Sequence, residues 1–245
     1  MDEDKLRQQL IQAIEDNPKL WEQVLKLDSG AGTYTEVNDI AAYLGDKIAE
    51  GLVDSYSPEL LAEYMVAGHD IVSMLAEAAQ KNLNDAAGIG LAPMKTKPPN
   101  ARISAMATEL GAIAPEKLAD ELANTIPPEI LAMVDAIVKY NADFQAKAGL
   151  KPIIVRTWSG SYPSHDTKHT DWCKNLAGKY AYGSEPKNVY ARHKGCRCKV
   201  EYFPSEKAQG RITALAKGQV DINGVLWNTR ADTLEKRLKR AARSK

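Results

Sequence analysis

Cys173, His193, Cys196 and Cys198 are the residues of this chain whose types and spacing best suit chemistry. They comprise all three cysteines and one of the four histidines, inside 26 residues of a 245-residue sequence. Thiolate sulfur and imidazole nitrogen are the two ligand types that favour tetrahedral Zn²⁺. Three donors lie within His193-Lys194-Gly195-Cys196-Arg197-Cys198, and Cys173 can join them through a loop. Closing that loop costs about a few kcal/mol, against roughly 10–16 kcal/mol of apparent binding at a structural zinc site. Cys-x-Cys places both side chains on one face of an extended strand, so one residue must turn for both to meet one ion. His169, four residues before Cys173, is an alternative fourth ligand. A metal-free reading stands equally open, with the cysteines packed as small hydrophobes and His193 in an ordinary hydrogen bond. A third reading makes Cys173 a nucleophile, His193 or His169 its base and Asp171 the orienting acid. No glycine-rich oxyanion turn accompanies it. An odd cysteine count and the tight Cys196-Arg197-Cys198 spacing argue against a disulfide framework.

The elements that must position these residues begin at Lys151. Ile153-Ile154-Val155-Arg156-Thr157-Trp158 is rich in β-branched residues and predicts a strand. Cys198-Lys199-Val200-Glu201-Tyr202 alternates strictly and predicts a second, with Cys198, Val200 and Tyr202 on one face. Asn223-Gly224 between Val220-Asp221-Ile222 and Val225-Leu226-Trp227 predicts a hairpin. Residues 231–245 return to helical periodicity, with seven basic positions from Arg230 onward.

Upstream, the pattern is helical. Leu6, Leu10, Ile11 and Ile14 share a face, and the pattern stops near Asn17-Pro18. After a break at Gly30-Ala31-Gly32, Val37, Ile40, Ala41, Leu44, Ile48 and Leu52 mark a second helix. Ser57-Pro58-Glu59 supplies a hydroxyl cap, a proline whose missing N–H costs nothing there, and an acid near the positive dipole end. Residues 84–100 should be irregular, with short helices at 101–111 and 115–124. Pro127-Pro128-Glu129 is expected to open another long helix, closed by a left-handed Gly149 before Leu150. The fold class expected is α+β. An acidic helical domain spans 1–150, a small mixed Cys/His module with short strands 151–205, and a hairpin with a basic C-terminal helix 206–245.

Charge divides along the same line. Residues 1–150 carry 24 acidic and 12 basic side chains, whereas 151–245 carry 8 and 20, so a formal net charge of zero hides two opposed halves. The basic half could face nucleic acid or an acidic protein surface; alternatively, the two halves attract each other. No apolar run approaches the roughly 18–20 residues needed to cross a bilayer, and Met1-Asp2-Glu3-Asp4 lacks the character of a secretory signal. The expectation is a soluble protein made in a reducing cytoplasm. His69 beside Asp70 is expected to be solvated or hydrogen-bonded. Gly88-Ile89-Gly90 lacks the preceding strand and third glycine of a dinucleotide fingerprint and is expected to be a turn. Trp158, Trp172 and Tyr180 are expected in the core of the small module.

The run from Asp171-Trp172-Cys173-Lys174-Asn175-Leu176 to Gly183, with Pro186, Asn188-Val189-Tyr190 and Arg192-His193 through Tyr202, resembles the C-terminal module of minor head proteins of tailed bacteriophages of Gram-positive bacteria. The likeness extends upstream through Asn141-Ala142-Asp143-Phe144 and Ala148-Gly149-Leu150 to Ile154-Val155-Arg156. A weaker match covers Leu83-Asn84 and Ala87 to Gly90. The Cys…His-x-x-Cys-Arg-Cys ending is also similar to the broader Mu F-like head morphogenesis group. Members of the family often carry a further cysteine three residues before the position of Cys173; this chain has Thr170 there, beside His169. That departure leaves a Cys₃His set, or no metal, as the open options.

The resemblance implies a virion component of the capsid interior or neck, present in a few copies and made in the host cytoplasm. It implies help in head assembly or DNA packaging, with the portal and major capsid proteins as partners, packaged double-stranded DNA as a further one, and no membrane. It implies no established catalytic activity. Arg237, Lys239, Arg240 and Arg243 are the candidates for DNA contact, the alternative being a solvated helical tail. Two other functions stay in view: a zinc-dependent nucleic-acid-binding module, and a cysteine hydrolase or transferase delivered with the virion.

Overall fold

The computed structural model describes residues 3–159 and 167–205, with the side chains of 167–170 left aside. Six helices come first: α1 (Glu3–Glu15), α2 (Pro18–Asp28), α3 (Tyr34–Leu52), α4 (Pro58–Ala87), α5 (Asn100–Gly111) and α6 (Pro115–Lys147). Then follow β1 (Ile153–Thr157), α7 (Thr167–Asn175), β2 (Gly178–Ala181) and β3 (Lys199–Phe203). The class is α+β. No helix among the described residues is long and apolar enough to cross a membrane.

Local signals set the helix ends. The Leu20 N–H donates to Asn17 Oδ1 (3.3 Å) ahead of α2, and the Leu60 N–H to Ser57 Oγ (3.1 Å) ahead of α4. Thr33 and Glu36 form a capping box at α3. Gly88 (φ 71°) and Gly149 (φ 85°) close α4 and α6 in the left-handed region. The Ile89 and Leu150 N–H groups then donate back to Asn84 O and Gln145 O, at 2.8 and 3.0 Å.

The proline pair departs from expectation. Pro127 and Pro128 lie inside a single continuous α6 and do not begin a new helix. A proline at 128 cannot donate to the carbonyl four residues back, so Asn124 O loses its helical partner. The Gly195 N–H, from the Cys/His segment, donates to it at 2.7 Å. On its other side α6 meets α3 at Gly45, where a Cβ would fall 2.4 Å from Pro127 Cα. Glycine is therefore what permits the α3 and α6 backbones to approach this closely here.

β1 is the centre of a three-stranded antiparallel sheet of order β2-β1-β3. Ile154 pairs with Tyr180 on one side and Tyr202 on the other. β2 was not foreseen, and α4 continues to Ala87 through part of the stretch expected to be irregular. Ile154, Val200, Tyr202 and Phe203 belong to the same buried cluster as the helices, so the sheet and the bundle share one core. The Asn38 side chain donates to Val200 O (3.0 Å), and Thr35 bonds Glu201. A buried chain of amides and phenols links the layers. Tyr34 OH donates to Gln80 Oε1 (2.9 Å), Gln80 and Gln145 both donate to Asn84 Oδ1 (2.9 and 2.7 Å), and Tyr202 OH donates to Gln145. With every member partnered, such a network fixes how sheet and helices align.

Candidate metal centre

Cys173 stands near the end of α7 and is 2% exposed. His193 to Cys196 form a tight turn in which the Cys196 N–H donates to His193 O (3.1 Å) and Gly195 takes φ 71°. The turn is pinned to α6 through Asn124 O. Cys196 and Cys198 then share one side of the chain entering β3. Arg197, between them, points the other way to Asp46 (2.6 Å) and Ala42 O (3.3 Å) on α3. The glycine turn and this alternation let both thiols of Cys-x-Cys enter one buried cluster with Cys173.

Cys173 Sγ lies 3.7 Å from Cys196 Sγ and 3.0 Å from His193 Nε2. The ligand atoms of Cys173, His193 and Cys196 all fall within 4.8 Å of one another. Zinc–sulfur bonds of about 2.3 Å in a tetrahedron give a sulfur–sulfur edge of about 3.8 Å, so the two thiols already hold that spacing. The mixed edge to nitrogen is about 3.5 Å, and the imidazole needs to withdraw by roughly 0.5 Å. His193 Nδ1 is 2.6 Å from Lys194 O. A carbonyl only accepts, so Nδ1 carries a proton and Nε2 is the nitrogen turned to the sulfur. Trp172 meets the ring edge-on at 5.9 Å. These three donors fit a metal ion; Cys198 lies in the same buried cluster but outside the set of atoms within 4.8 Å of one another.

Among themselves the thiols share protons unequally. Hydrogen bonds from Cys173 and Cys198, aided by Arg192, hold Cys196 far below the usual thiol range. Cys173 is pushed up by its bonds to Cys196 and Cys198 and by burial. For Cys198 the Cys173 bond favours the thiolate, but Cys196 and burial outweigh it.

Two buried guanidinium groups surround the sulfurs. Arg192 makes a two-pronged pair with Asp135 (2.5 and 2.8 Å), the side chains being 1% and 3% exposed. It also donates to Cys198 O (2.7 Å) and approaches Cys196 Sγ (3.9 Å). Burial pushes the Asp135 carboxyl up, and Arg192 followed by Arg156 pulls it back. Arg156, on β1, reaches Cys173 and Cys196. These three residues were missed in the sequence. The available signals were an arginine at a core position of an apolar strand and an aspartate within the apolar stripe of α6.

The remaining expected residues fall as follows. His169 lies on α7, and its side chain is outside the described residues, as are Arg237, Lys239, Arg240 and Arg243. Asp171 is exposed, and His193 Nδ1 faces a backbone carbonyl. Trp158 is 40% exposed with Lys174 over its ring at 5.0 Å, so it is not core; Trp172 packs on the cysteines and Tyr180 on the main core. His69 is buried, its Nε2 near Thr96 Oγ1 (3.3 Å) and Ser73 Oγ (3.4 Å). A cavity of about 680 Å³ lies away from the cluster, between Leu150, Ile153, Tyr180 and Tyr182. No family model, curated protein or solved structure matches the chain.

Proposed function

We propose that this chain is a structural protein of the tailed-phage head, a minor head protein acting at the portal or inner capsid in head assembly and DNA packaging. In this reading its C-terminal module is locked by a zinc ion on Cys173, His193 and Cys196, with Cys198 or His169 completing the set. The observation that carries the reading is the placement of the motif on which the phage resemblance rests. Two of its cysteines, Cys173 and Cys196, and its histidine converge at ligand spacing against α6, with Cys198 in the same buried cluster and the thiols at most 2% exposed. That arrangement suits a clamp better than a nucleophile, which needs an accessible, low-pKa thiol.

The test of location is quantitative mass spectrometry of tailed particles banded on a density gradient after nuclease treatment. A few copies per particle are expected, and absence from banded particles would sink the assignment. The test of the clamp is elemental analysis of freshly purified chain, with about one zinc expected. Chelator should then lower the melting temperature. A zinc-free protein whose melting temperature ignores chelator would end the metal reading.

A further inference from the structure

Arg156 is 1% exposed in the central strand; its two terminal nitrogens are set on particular acceptors, while the buried Nε has none among the described residues. Nη1 donates to Val189 O (2.5 Å) and Ala191 O (2.9 Å), Nη2 to Cys173 Sγ (3.6 Å) and Cys196 Sγ (3.7 Å). The guanidinium sits 5.6 Å from the Trp172 ring centroid. Carbonyls and an indole orient the fork, yet none of them carries a formal charge. Among the described residues no carboxylate pairs with Arg156, while the neighbouring Arg192 is neutralised by Asp135. Among the described residues one positive charge is thus left without a carboxylate partner, and an unpaired buried charge is among the costliest things a fold can hold. The groups in reach that can carry the opposite charge are the sulfurs.

Charge counting then separates the ligand sets. A divalent ion on three thiolates and a neutral imidazole has net charge −1, which matches Arg156. The same ion on Cys173, Cys196 and two neutral histidines has net charge zero and leaves Arg156 uncompensated. We propose that Arg156 is the built-in countercharge of a three-thiolate metal centre, so that Cys198, and not His169, is the fourth ligand. This rests on the metal reading above. Arg156 is a positioning residue: it acts on the ion through N–H···S bonds to Cys173 and Cys196, as outer-shell partners do elsewhere.

The experiment uses the full chain, with zinc affinity measured by competition against a chromogenic chelator. Loading with Co²⁺ counts thiolates through the intensity of the sulfur-to-metal charge-transfer band. Arg156→Met is expected to weaken zinc binding about ten- to hundredfold, and Arg156→Lys, which keeps the charge, to recover part of the loss. Cys198→Ser should lose about a third of the charge-transfer intensity, one thiolate in three, whereas His169→Gln should leave spectrum and affinity unchanged. In the double variant Arg156→Met/Cys198→Ser, the loss of affinity should be smaller than the product of the two single losses, because removing the countercharge makes a neutral two-thiolate centre acceptable. Circular dichroism confirms that each variant is folded, and Arg156→Lys guards against a packing artefact. Wild-type affinity in folded Arg156→Met, or losses that simply multiply, overturn the role of Arg156 while leaving the metal site standing. An unchanged spectrum in Cys198→Ser overturns the ligand assignment. Failure of the wild type to bind zinc or cobalt overturns both.

Discussion

Replacing Asp135 by Asn removes one charge from a buried pair without removing volume, so its effect is almost purely electrostatic. The carboxylate takes bonds of 2.5 and 2.8 Å from Arg192, in a place where the two side chains are 3% and 1% exposed. Two such charges about 4 Å apart attract by about 4 kcal/mol at an effective dielectric of about 20. Breaking a buried pair from one side typically costs about 3–5 kcal/mol, because the surviving charge stays desolvated. Arg156 lies close enough for Asp135 to feel its charge, so the variant would leave two guanidinium groups without that carboxylate. A loss of about 3–5 kcal/mol is therefore expected for Asp135→Asn, a large part of a typical stability of about 5–15 kcal/mol. Arg192→Met should cost a similar amount, since it also strips the donor from Cys198 O. The double variant should be more stable than the summed losses predict by about 2 kcal/mol or more, both charges having gone together. Urea denaturation followed by far-ultraviolet dichroism gives all three values, provided the m-value is unchanged. A single-variant loss under about 1 kcal/mol, the range of an exposed pair, would refute the reasoning. So would strict additivity.

Gly45→Ala would place a Cβ 2.4 Å from Pro127 Cα and 3.1 Å from its N. Backbone cannot swing aside, so an overpacking cost of about 1–3 kcal/mol should exceed the helix-propensity gain of about 1 kcal/mol, and a melting temperature equal to or above wild type would contradict that contact. Asp70 is held below its ordinary value of 3.8 by His69, whose Nδ1 lies 3.5 Å from its carboxylate, with Arg7 assisting against partial burial. Its folded pKa is depressed, so its contribution is present above that ordinary value and is lost as pH falls through the folded one. The side chain is 39% exposed, so Asp70→Asn should be less stable at pH 7 by under about 1 kcal/mol. That gap should close in acid; a gap constant from neutral pH to about pH 2 would rule out the linkage.

Much of the helical structure was legible because periodicity and caps act locally: Ser57 and Gly149 do in the fold what the sequence suggests, whereas α2 was not foreseen and Asn17, expected only as a helix end, caps it. The continuity of α6 was not legible. Proline at 128 is tolerated mid-helix because a donor from a distant turn takes the freed Asn124 carbonyl and because Gly45 gives the segment room. Neither fact is local to the prolines. β2 was hidden for a similar reason, since Gly178-Lys179-Tyr180-Ala181 has little strand character of its own and is extended through pairing with β1. At the site, residue types pointed to Cys173, His193 and Cys196, and the alternation into β3 correctly put Cys198, Val200 and Tyr202 on the buried face. The guanidinium shell escaped notice because an arginine in a sequence reads as surface until a strand register places it beside Ile154 in the core.

The opposed charges of the two halves act inside the molecule. Arg192, Lys194, Arg197 and Lys199 meet Asp135, Glu121, Asp46 and Asp39 of α6 and α3. Three of these pairs are exposed or half-exposed and contribute little stability each, but together they seat the Cys/His turn against the bundle at one register. The basic excess of the chain splits evenly, +6 in 151–205 and +6 in 206–245. Much of the first share is engaged with acidic helices and the sheet shares their core, so a fragment beginning at 151 would expose cations that the whole protein pairs. Any DNA affinity should therefore be measured on the full chain and should reside in 206–245. Replacing Arg237, Lys239, Arg240 and Arg243 together by Gln should flatten the salt dependence of a gel shift, by up to about 0.9 in log–log slope for each phosphate no longer neutralised. A shift whose salt slope survives that replacement would put the DNA-binding surface elsewhere, and no shift at low salt in the wild type would leave the tail without a nucleic-acid role.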